Sequence, residues 1–495
     1  MSAASALLVL AIMVPASGVV LAVAFGGRAA AFVALATCAA GAVIAAVIAS
    51  ILWSTGQPLD TVIGGWSPPL GIALHADGLS AIMLLVSAVV ISAIALFARA
   101  GFTQPAGAPE ARAPLIFWTM LMGVWAGLNT VWLAGDLFTL YVALELLTFG
   151  AVPLVSLEGK PETLVAALRY MLFALIGSIL YLLGCALLYG GYGTLDIELL
   201  ARAVRPEPVA FIAAALMTAG LAAKTALFPL HLWLPPAHAG APAAASALLS
   251  ALVVKGSFIL TVRLWFDALP GVAGAGAATL LGALGAGAIL VGSTVALRQQ
   301  RLKLMIAYST VAQIGYLFFL FPLAGGIGEW SRIAWTGGMM QLVAHAVAKA
   351  AMFLAAGLIG EALGHDRING LTGLGRSLPM VVFAFGLAGM SLMGLPPSGG
   401  FVAKAMLLLA AVGEGQWWWA VVILLGGLLA AGYMFRVLTP ALAGGPPAVL
   451  VARVARSRQA VVLGLAIFAL ALGLVPLRPS QLLEVGRPAA VAYGR

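Results

Sequence analysis

Apolar residues run along this chain in long blocks separated by short polar joints. A block of about 20 apolar residues is what a helix needs to cross a bilayer. Fourteen such blocks are present, at 4–26, 29–53, 77–98, 113–133, 136–156, 163–190, 208–235, 240–266, 274–297, 303–323, 334–362, 378–412, 416–438 and 459–476. They predict an all-α polytopic membrane protein of about fourteen transmembrane helices, with no second soluble domain. The longest early joint runs from Ser54 to Ala76, and its GGWSPPLG reads as turns. The first block lacks a basic n-region and is long, so it reads as a span and not a cleaved leader. Gly and Ala are abundant within the blocks, which suits close helix packing.

Two blocks are interrupted. Between Lys224 and Lys255 lie Pro229, Pro235, Pro236 and Pro242, with His231 and His238. Further on, Gly394, Pro396, Pro397, Gly399 and Gly400 break an apolar run, and Lys404 follows about a turn later. Proline removes a link of the helical ladder and frees a carbonyl. In a membrane this is tolerated only where the freed groups face protein or a wet cavity. Helices 7 and 12 are therefore predicted to be broken, with Pro229, Pro235, Pro236, Pro396 and Pro397 as the breaking residues. Interrupted spans in corresponding places point to inverted repeats and a site at mid-membrane. The two five-helix units would be 113–266 (helices 4–8) and 274–438 (helices 9–13). Helices 1–3 at 1–112 precede them, and helix 14 with the tail, 459–495, follows.

Charge is scarce, at 8% of residues against 63% hydrophobic, so each ionisable group carries information. The net charge of +9 comes with no basic patch interleaved with aromatics, which argues against nucleic acid. Its distribution follows membrane topology instead. One face holds Arg28, Arg99, Arg112, Lys160, Arg169, Arg298, Arg301, Lys303, Arg367, Arg376, Arg436, Arg453, Arg456 and Arg458. The other holds Arg202, Arg205, Arg263, Arg332, Arg478, Arg487 and Arg495. Fourteen against seven places the first face in the cytoplasm and both termini outside.

The remaining four basic residues, Lys224, Lys255, Lys349 and Lys404, fall inside spans. Arginine, which holds its proton, stays at the rims; lysine, which can release one when buried, occupies the interior. Of sixteen acidic residues only Glu145 sits mid-span. A buried glutamate needs a cation, and Lys224 is the best candidate. Asp136, opening the same span, reads as an interface residue. His345 and Lys349 stand at i and i+4, on one helix face. The competing structural reading is a static Glu145–Lys224 pair, a hydrogen-bonded core histidine and lysines snorkelling to the interface. Lysines beside two helix breaks favour an ion path. Cys38 and Cys185 lie in apolar runs and read as small core residues. There is no cysteine cluster, phosphate loop or haem signature, so neither a cofactor, a metal nor a catalytic residue is expected.

The segments AAKTALFPLHLWLPPAHAGAPAAASALLSALVVK, HAVAKAAMFLAAG and GLPPSGGFVAK resemble the antiporter-like subunits shared by respiratory complex I, membrane-bound hydrogenases and Mrp-type cation/proton antiporters. The likeness runs from about Asp77 to Arg436. GGWSPPLGIALHADGLSA and GDLFTLYVALELL look most like the D-type subunit of Mrp antiporters. The resemblance implies fourteen helices with two inverted five-helix repeats. It also implies Glu145 and Lys224 as an input pair, Lys255, His345 and Lys349 as a central relay, and Lys404 as the terminal lysine. Pro236 departs from the family, many members having an acidic residue there. The implied function is proton translocation within a multisubunit sodium/proton antiporter of the cell's inner membrane, with sister membrane subunits and a monovalent cation as partners. The chain would have no catalysis of its own. The alternative is a proton-pumping subunit of a complex I-like NADH:quinone oxidoreductase or a membrane-bound hydrogenase. A third reading is a subunit of another complex built on this module, such as one for inorganic-carbon uptake, or a scaffold with a dead channel.

The basic count yields a direct expectation. A cysteine introduced as R301C should resist membrane-impermeant thiol reagents added outside intact cells. Ready labelling from outside would overturn the topology.

Overall fold

The computed structural model describes residues 3–102, 112–272, 274–474 and 479–487. Arg478 and Arg495, counted above on the outer face, lie outside the described residues. The chain begins with α1 (Ala3–Phe25) and α2 (Ala29–Thr55). The joint after them is a hairpin: β1 (Leu59–Val62) and β2 (Ala73–Ala76) pair antiparallel, Leu59 opposite Ala76, and GGWSPPLG lies in its connection. Next come α3 (Gly78–Ala98), α4 (Arg112–Leu133) and α5 (Leu137–Val155). Asp136 caps α5, its Oδ1 accepting the Thr139 amide at 2.7 Å, in keeping with a place at a helix end. Then follow α6 (Pro161–Tyr192), α7 (Ile197–Ala203) and α8 (Pro208–Lys224).

The first break opens earlier than the prolines suggested. Helix α8 ends at Lys224 itself, and Ala226 takes a left-handed φ of 58°. Pro229 lies in the irregular turns that follow, whereas Pro235 and Pro236 fall in the first turn of α9 (Leu234–Gly240). Proline is at home there, because first-turn amides have no partner within the helix. Helix α10 (Ala243–Leu248) runs through a π turn, Leu249–Val253, into α11 (Val254–Val262) and a second π turn, Arg263–Ala268. Then come α12 (Ala275–Arg298), α13 (Leu302–Leu317), α14 (Leu320–Ala324), α15 (Glu329–Leu363) and α16 (Leu374–Ser377). The second break separates α17 (Pro379–Met393) from α18 (Gly399–Gly413), with Gly394, Pro396 and Pro397 between them. Helices α19 (Trp417–Leu442), α20 (Arg456–Leu474) and α21 (Pro479–Leu483) close the order.

Among the described residues, twelve helical stretches are long and apolar enough to cross a bilayer unaided. The expected spans at 208–235 and 378–412 are the two built from shorter pieces. The stretches Ala243–Ala268, Leu302–Ala324 and Glu329–Leu363 are almost wholly buried, while only a minority of the residues of α1, α2 and α20 are buried. The molecule is thus a bundle with 243–268, α13 and α15 at its centre. Cys38 and Cys185 are buried and unpaired, as small core residues.

Two features set the spacing of helices around the centre. The first is a glycine contact between α6 and α8. A Cβ on Gly220 would lie 2.3 Å from the Gly177 carbonyl, and one on Gly177 would lie 2.7 Å from the Gly220 carbonyl and 3.0 Å from Lys224 Cγ. Only two glycines permit this approach, and it brings Lys224 against α6.

The second is an ion cluster that charge counting did not reveal. Arg263, placed above at the outer rim, is buried, and its guanidinium grips Asp77 in bidentate fashion at 2.6 and 2.8 Å. It also donates to Asp267 at 2.9 Å and to Ser80 Oγ at 3.1 Å. Asp77 caps α3 as well, accepting the Ser80 amide at 2.8 Å. One aspartate therefore joins the end of the 243–268 span to the start of α3. Burial by itself would raise the Asp77 carboxyl, but Arg263 outweighs it and holds the group at about 2. Its contribution to stability is complete above the ordinary aspartate range and is lost only as pH falls toward that value. Asp77→Asn removes one partner of a buried pair and should destabilise the protein by about 3–5 kcal/mol at neutral pH. Thermal unfolding of the detergent-solubilised variant checks this, and an unchanged Tm would show that the cluster holds nothing together.

Candidate functional site

The six groups singled out in the sequence sit on five elements: Glu145 on α5, Lys224 at the end of α8, Lys255 on α11, His345 and Lys349 on α15, and Lys404 on α18. The structure joins the first two. Lys224 Nζ lies 2.9 Å from Glu145 Oε1, 3.3 Å from Thr148 Oγ1 and 3.5 Å from the Leu144 carbonyl. Ser178 Oγ on α6 donates to the same Glu145 oxygen. Thr148 stands one turn after Glu145 on α5, and Ser178 neighbours the glycine that admits α8. The Lys224 side chain is 6% exposed and that of Glu145 18%, so this is a buried pair with one edge toward the surface.

The other three lysines are held without a carboxylate among the described residues. Lys255 Nζ donates to the Ser250 carbonyl, five residues back in the π turn. A π turn leaves carbonyls out of the ordinary ladder, and here a lysine takes one. Lys349 Nζ donates to Ser309 Oγ and, at 2.9 Å, to the Ile306 carbonyl, both on α13. Lys404 Nζ lies 2.5 Å from the carbonyl of Leu392, at the broken end of α17, and 4.3 Å from the centroid of the Tyr316 ring. His345 is fully buried, and neither ring nitrogen makes a hydrogen bond within the described structure. Lys255, Lys349 and Lys404 all lie within electrostatic reach of it. His345 thus lies near all three of these lysines.

Polar side chains fill the intervals. Thr225, just past Lys224, hydrogen-bonds to Ser257 at 2.9 Å, and Ser257 is two residues from Lys255. A cavity of about 20 Å³, lined by Thr148, Tyr170, Lys224 and Ser257, lies beside Lys224. That is room for about one water molecule. Beyond Lys349, Gln341 donates to Gln313 at 3.0 Å, and Gln313 donates at 3.0 Å to the same Leu392 carbonyl that holds Lys404.

Two larger cavities open at the ends of the bundle. One, of about 600 Å³, is lined by Glu158, Lys160, Arg301, Lys303, Glu361, His365, Asp366 and Arg458, from loops and helix ends of the arginine-rich face. Lys303, counted above on the basic face, is half-buried there and donates at 2.9 Å to the Ala241 carbonyl just after α9. The other, of about 460 Å³, is lined by Asp60, His75, Asp196, Glu198, Arg263 and Asp267 at the opposite end. Burial would lower the His75 imidazole, but its 2.6 Å contact with Asp60 and the charge of Asp77 raise it above its ordinary value. Its ion pair is thus favoured at low pH and lost as pH rises through that raised value.

Sequence reasoning singled out the six charged or titratable groups but passed over their neutral partners. Ser178, Thr148, Ser309, Gln313 and Tyr316 carried one signal, that of polar atoms inside apolar blocks. His238 was noted without a role. It is fully buried, stacks on Phe353 at 4.6 Å and, among the described residues, makes no hydrogen bond through either nitrogen.

Residues 134–430 match the transmembrane family described as NADH:quinone oxidoreductase/Mrp antiporter. The chain is 33% identical over 400 residues to the N-type subunit of the NADH-quinone oxidoreductase of Desulforudis audaxviator, covering 79% of this chain and 77% of that one. It is 31% identical to the D-type subunit of the Na(+)/H(+) antiporter of Alkalihalophilus pseudofirmus, covering 70% and 69%. Its fold is similar to that of a chain in the Mrp complex from Dietzia sp. DQ12-45-1b, with a TM-score of 0.88, 25% identity and full coverage of both chains.

The Glu145–Lys224 contact makes a quantitative expectation. Glu145→Gln and Lys224→Met should each destabilise the folded protein, since each strands the other group. The double variant should cost less than the sum, with a coupling of about 1–3 kcal/mol. Thermal unfolding of the three variants measures it, and strict additivity would show that the two side chains act apart.

Proposed function

The chain belongs to the NADH:quinone oxidoreductase/Mrp antiporter transmembrane family, and from that premise we propose that it is the proton-translocating subunit of a multisubunit sodium/proton antiporter. One observation carries the reading, namely the unequal way in which the buried lysines are held. Lys224 has a carboxylate partner, whereas Lys255, Lys349 and Lys404 rest on carbonyl or hydroxyl oxygens. A lysine on neutral acceptors can pass on a proton without leaving a bare carboxylate in the membrane interior. A lysine paired with Glu145 changes its charge balance whenever that glutamate moves. Glu145 and Lys224 are thus the input pair, Lys255, His345 and Lys349 the relay, and Lys404 the terminal carrier. Water in cavities such as that beside Lys224 bridges the gaps.

In this reading residues 113–266 hold the input and 274–438 the output, each five-helix unit containing one interrupted helix, with 1–112 and 459–495 flanking them. Support for the orientation comes from the two end cavities. The one assigned to the cytoplasm sets Lys160, Arg301, Lys303 and Arg458 against Glu158, Glu162, Glu361 and Asp366, whereas at the other Asp60, Asp196, Glu198 and Asp267 outnumber Arg263. Both termini then lie on the outer side of the cytoplasmic membrane. The driving force comes from partners, because Glu145 needs a neighbouring charge to displace it. Sister membrane subunits supply that charge, and the cation gradient acts through them.

A second reading has a specific observation in its favour. The 33% identical relative is named as a subunit of an NADH-quinone oxidoreductase. There the same residues would carry protons and electron transfer elsewhere would drive them.

The experiment is exchange in inverted vesicles. With its co-encoded membrane subunits the protein should give sodium-dependent proton exchange, and alone it should give none. Lys224→Ala and Lys224→Arg should both reduce exchange to background while assembly is retained, since arginine holds its proton. Full activity of Lys224→Arg would overturn the protonation cycle. Proton uptake driven only by an added quinone and reductant would select the second reading.

A further inference from the structure

Lys404 differs from Lys224 in what neutralises it. Its side chain is buried, its Nζ lies 2.5 Å from the Leu392 carbonyl, and its ammonium sits 4.3 Å above the Tyr316 ring. Among the described residues, the helices around it bring no carboxylate to this place. Helix α13 contributes Tyr316; α15 contributes His345 and, one turn on, Lys349, with Glu329, Arg332 and Glu361 only toward its two ends. Helices α14 and α17 hold no ionisable residue. Helix α19 brings Tyr433 and, toward its end, Arg436, which donates to the Leu297 carbonyl. Helix α20 has Arg456 and Arg458 in its first turn, Arg458 being bound to Glu361 at 2.7 Å.

The ring that faces the ammonium is itself held in place. Tyr316 is wholly buried, and its hydroxyl lies 3.4 Å from the Ile423 carbonyl. Helix α19 leaves space for that hydroxyl: a Cβ on Gly426 would come within 2.2 Å of it. Gly394, in the break with a φ of 81°, likewise leaves room for the lysine stem, since a Cβ there would lie 2.9 Å from Lys404 Cδ. One glycine thus makes space for the ring and the other for the lysine stem.

We propose that the π face of Tyr316 is the counter-charge of Lys404, setting the proton affinity of this lysine in place of a carboxylate. The ring's quadrupole favours a cation over its face, and does so most strongly where water is excluded. Unlike a carboxylate, the ring carries no net charge, so deprotonation of Lys404 leaves no anion behind. Tyr316 is a positioning residue in this scheme and exchanges no proton. The inference rests on the reading of Lys404 as a proton carrier.

The test is the pH profile of exchange by the whole complex in vesicles. Tyr316→Phe keeps the ring and should keep the wild-type profile. Tyr316→Leu removes it and should move the alkaline limb to lower pH by roughly one unit, about tenfold in proton affinity. A series of singly, doubly and triply fluorinated phenylalanines at position 316 drains the ring face without changing its shape, and should move the limb in steps. That series decides the matter if Tyr316→Leu does not assemble. A flat series, or a Tyr316→Phe profile displaced as far as that of Tyr316→Leu, would overturn the proposal. Lys404→Ala separates this from the reading beneath it. If that variant abolishes exchange while the fluorinated series stays flat, only the role of Tyr316 fails. If it exchanges fully, Lys404 is no carrier and both ideas fall.

Discussion

An ammonium group inside a membrane protein must be surrounded by oxygen that the protein itself supplies, and this requirement shapes the centre of the bundle. Bare charge in hydrocarbon is too costly to persist, and ordinary helices have no carbonyls to spare. The structure finds spare acceptors where helices depart from α geometry. Lys404 uses the broken end of α17, and Lys255 uses the π turn. Lys349 instead reaches sideways to α13, where Ser309 and the Ile306 carbonyl meet it. Irregular backbone and buried lysine are therefore two sides of one arrangement, each making the other tolerable.

Lys224 follows a different rule, and the direction proposed for the path rests on that contrast. It ends the helix before its break, where Lys404 follows its own break. It meets a glutamate, with Ser178 and Thr148 completing the shell. A buried ion pair is a poor device for stability, since well-packed apolar side chains often serve as well or better. Its presence among almost purely apolar helices agrees with the proposal that the pair opens and closes. The partial exposure of Glu145 fits the same idea, because an outside charge can reach it from that edge.

The Asp77–Arg263–Asp267 cluster belongs to the scaffold. Arginine with two carboxylates is a fixed lock, suited to fastening the 243–268 span to α3 at the end of the bundle. Lysine on neutral oxygen is the opposite, a cation held by groups that lose little when its proton leaves. Among the described residues Arg263 departs from the division between rim arginine and interior lysine, being buried where it joins two helices.

Several features of this protein are determined by residue order alone. Apolar block length dictates a membrane bundle, because hydrocarbon thickness sets helix length. Four lysines, one glutamate and two proline–glycine breaks are legible because charge and proline are rare and costly in such blocks. The face of His345 and Lys349 follows from helical period. Tertiary structure decided the rest. That α8 stops at Lys224, with Pro235 and Pro236 opening the next helix, depends on how the irregular turns pack. The approach of Lys224 to Glu145 depends on two glycines, Gly177 and Gly220, meeting across helices. The partnership of Arg263 with Asp77 and that of Lys404 with Tyr316 join residues far apart in the chain. Such contacts are set by the crossing of helices, and the hydrophobic pattern within any one helix carries no record of what the neighbouring helix presents to it.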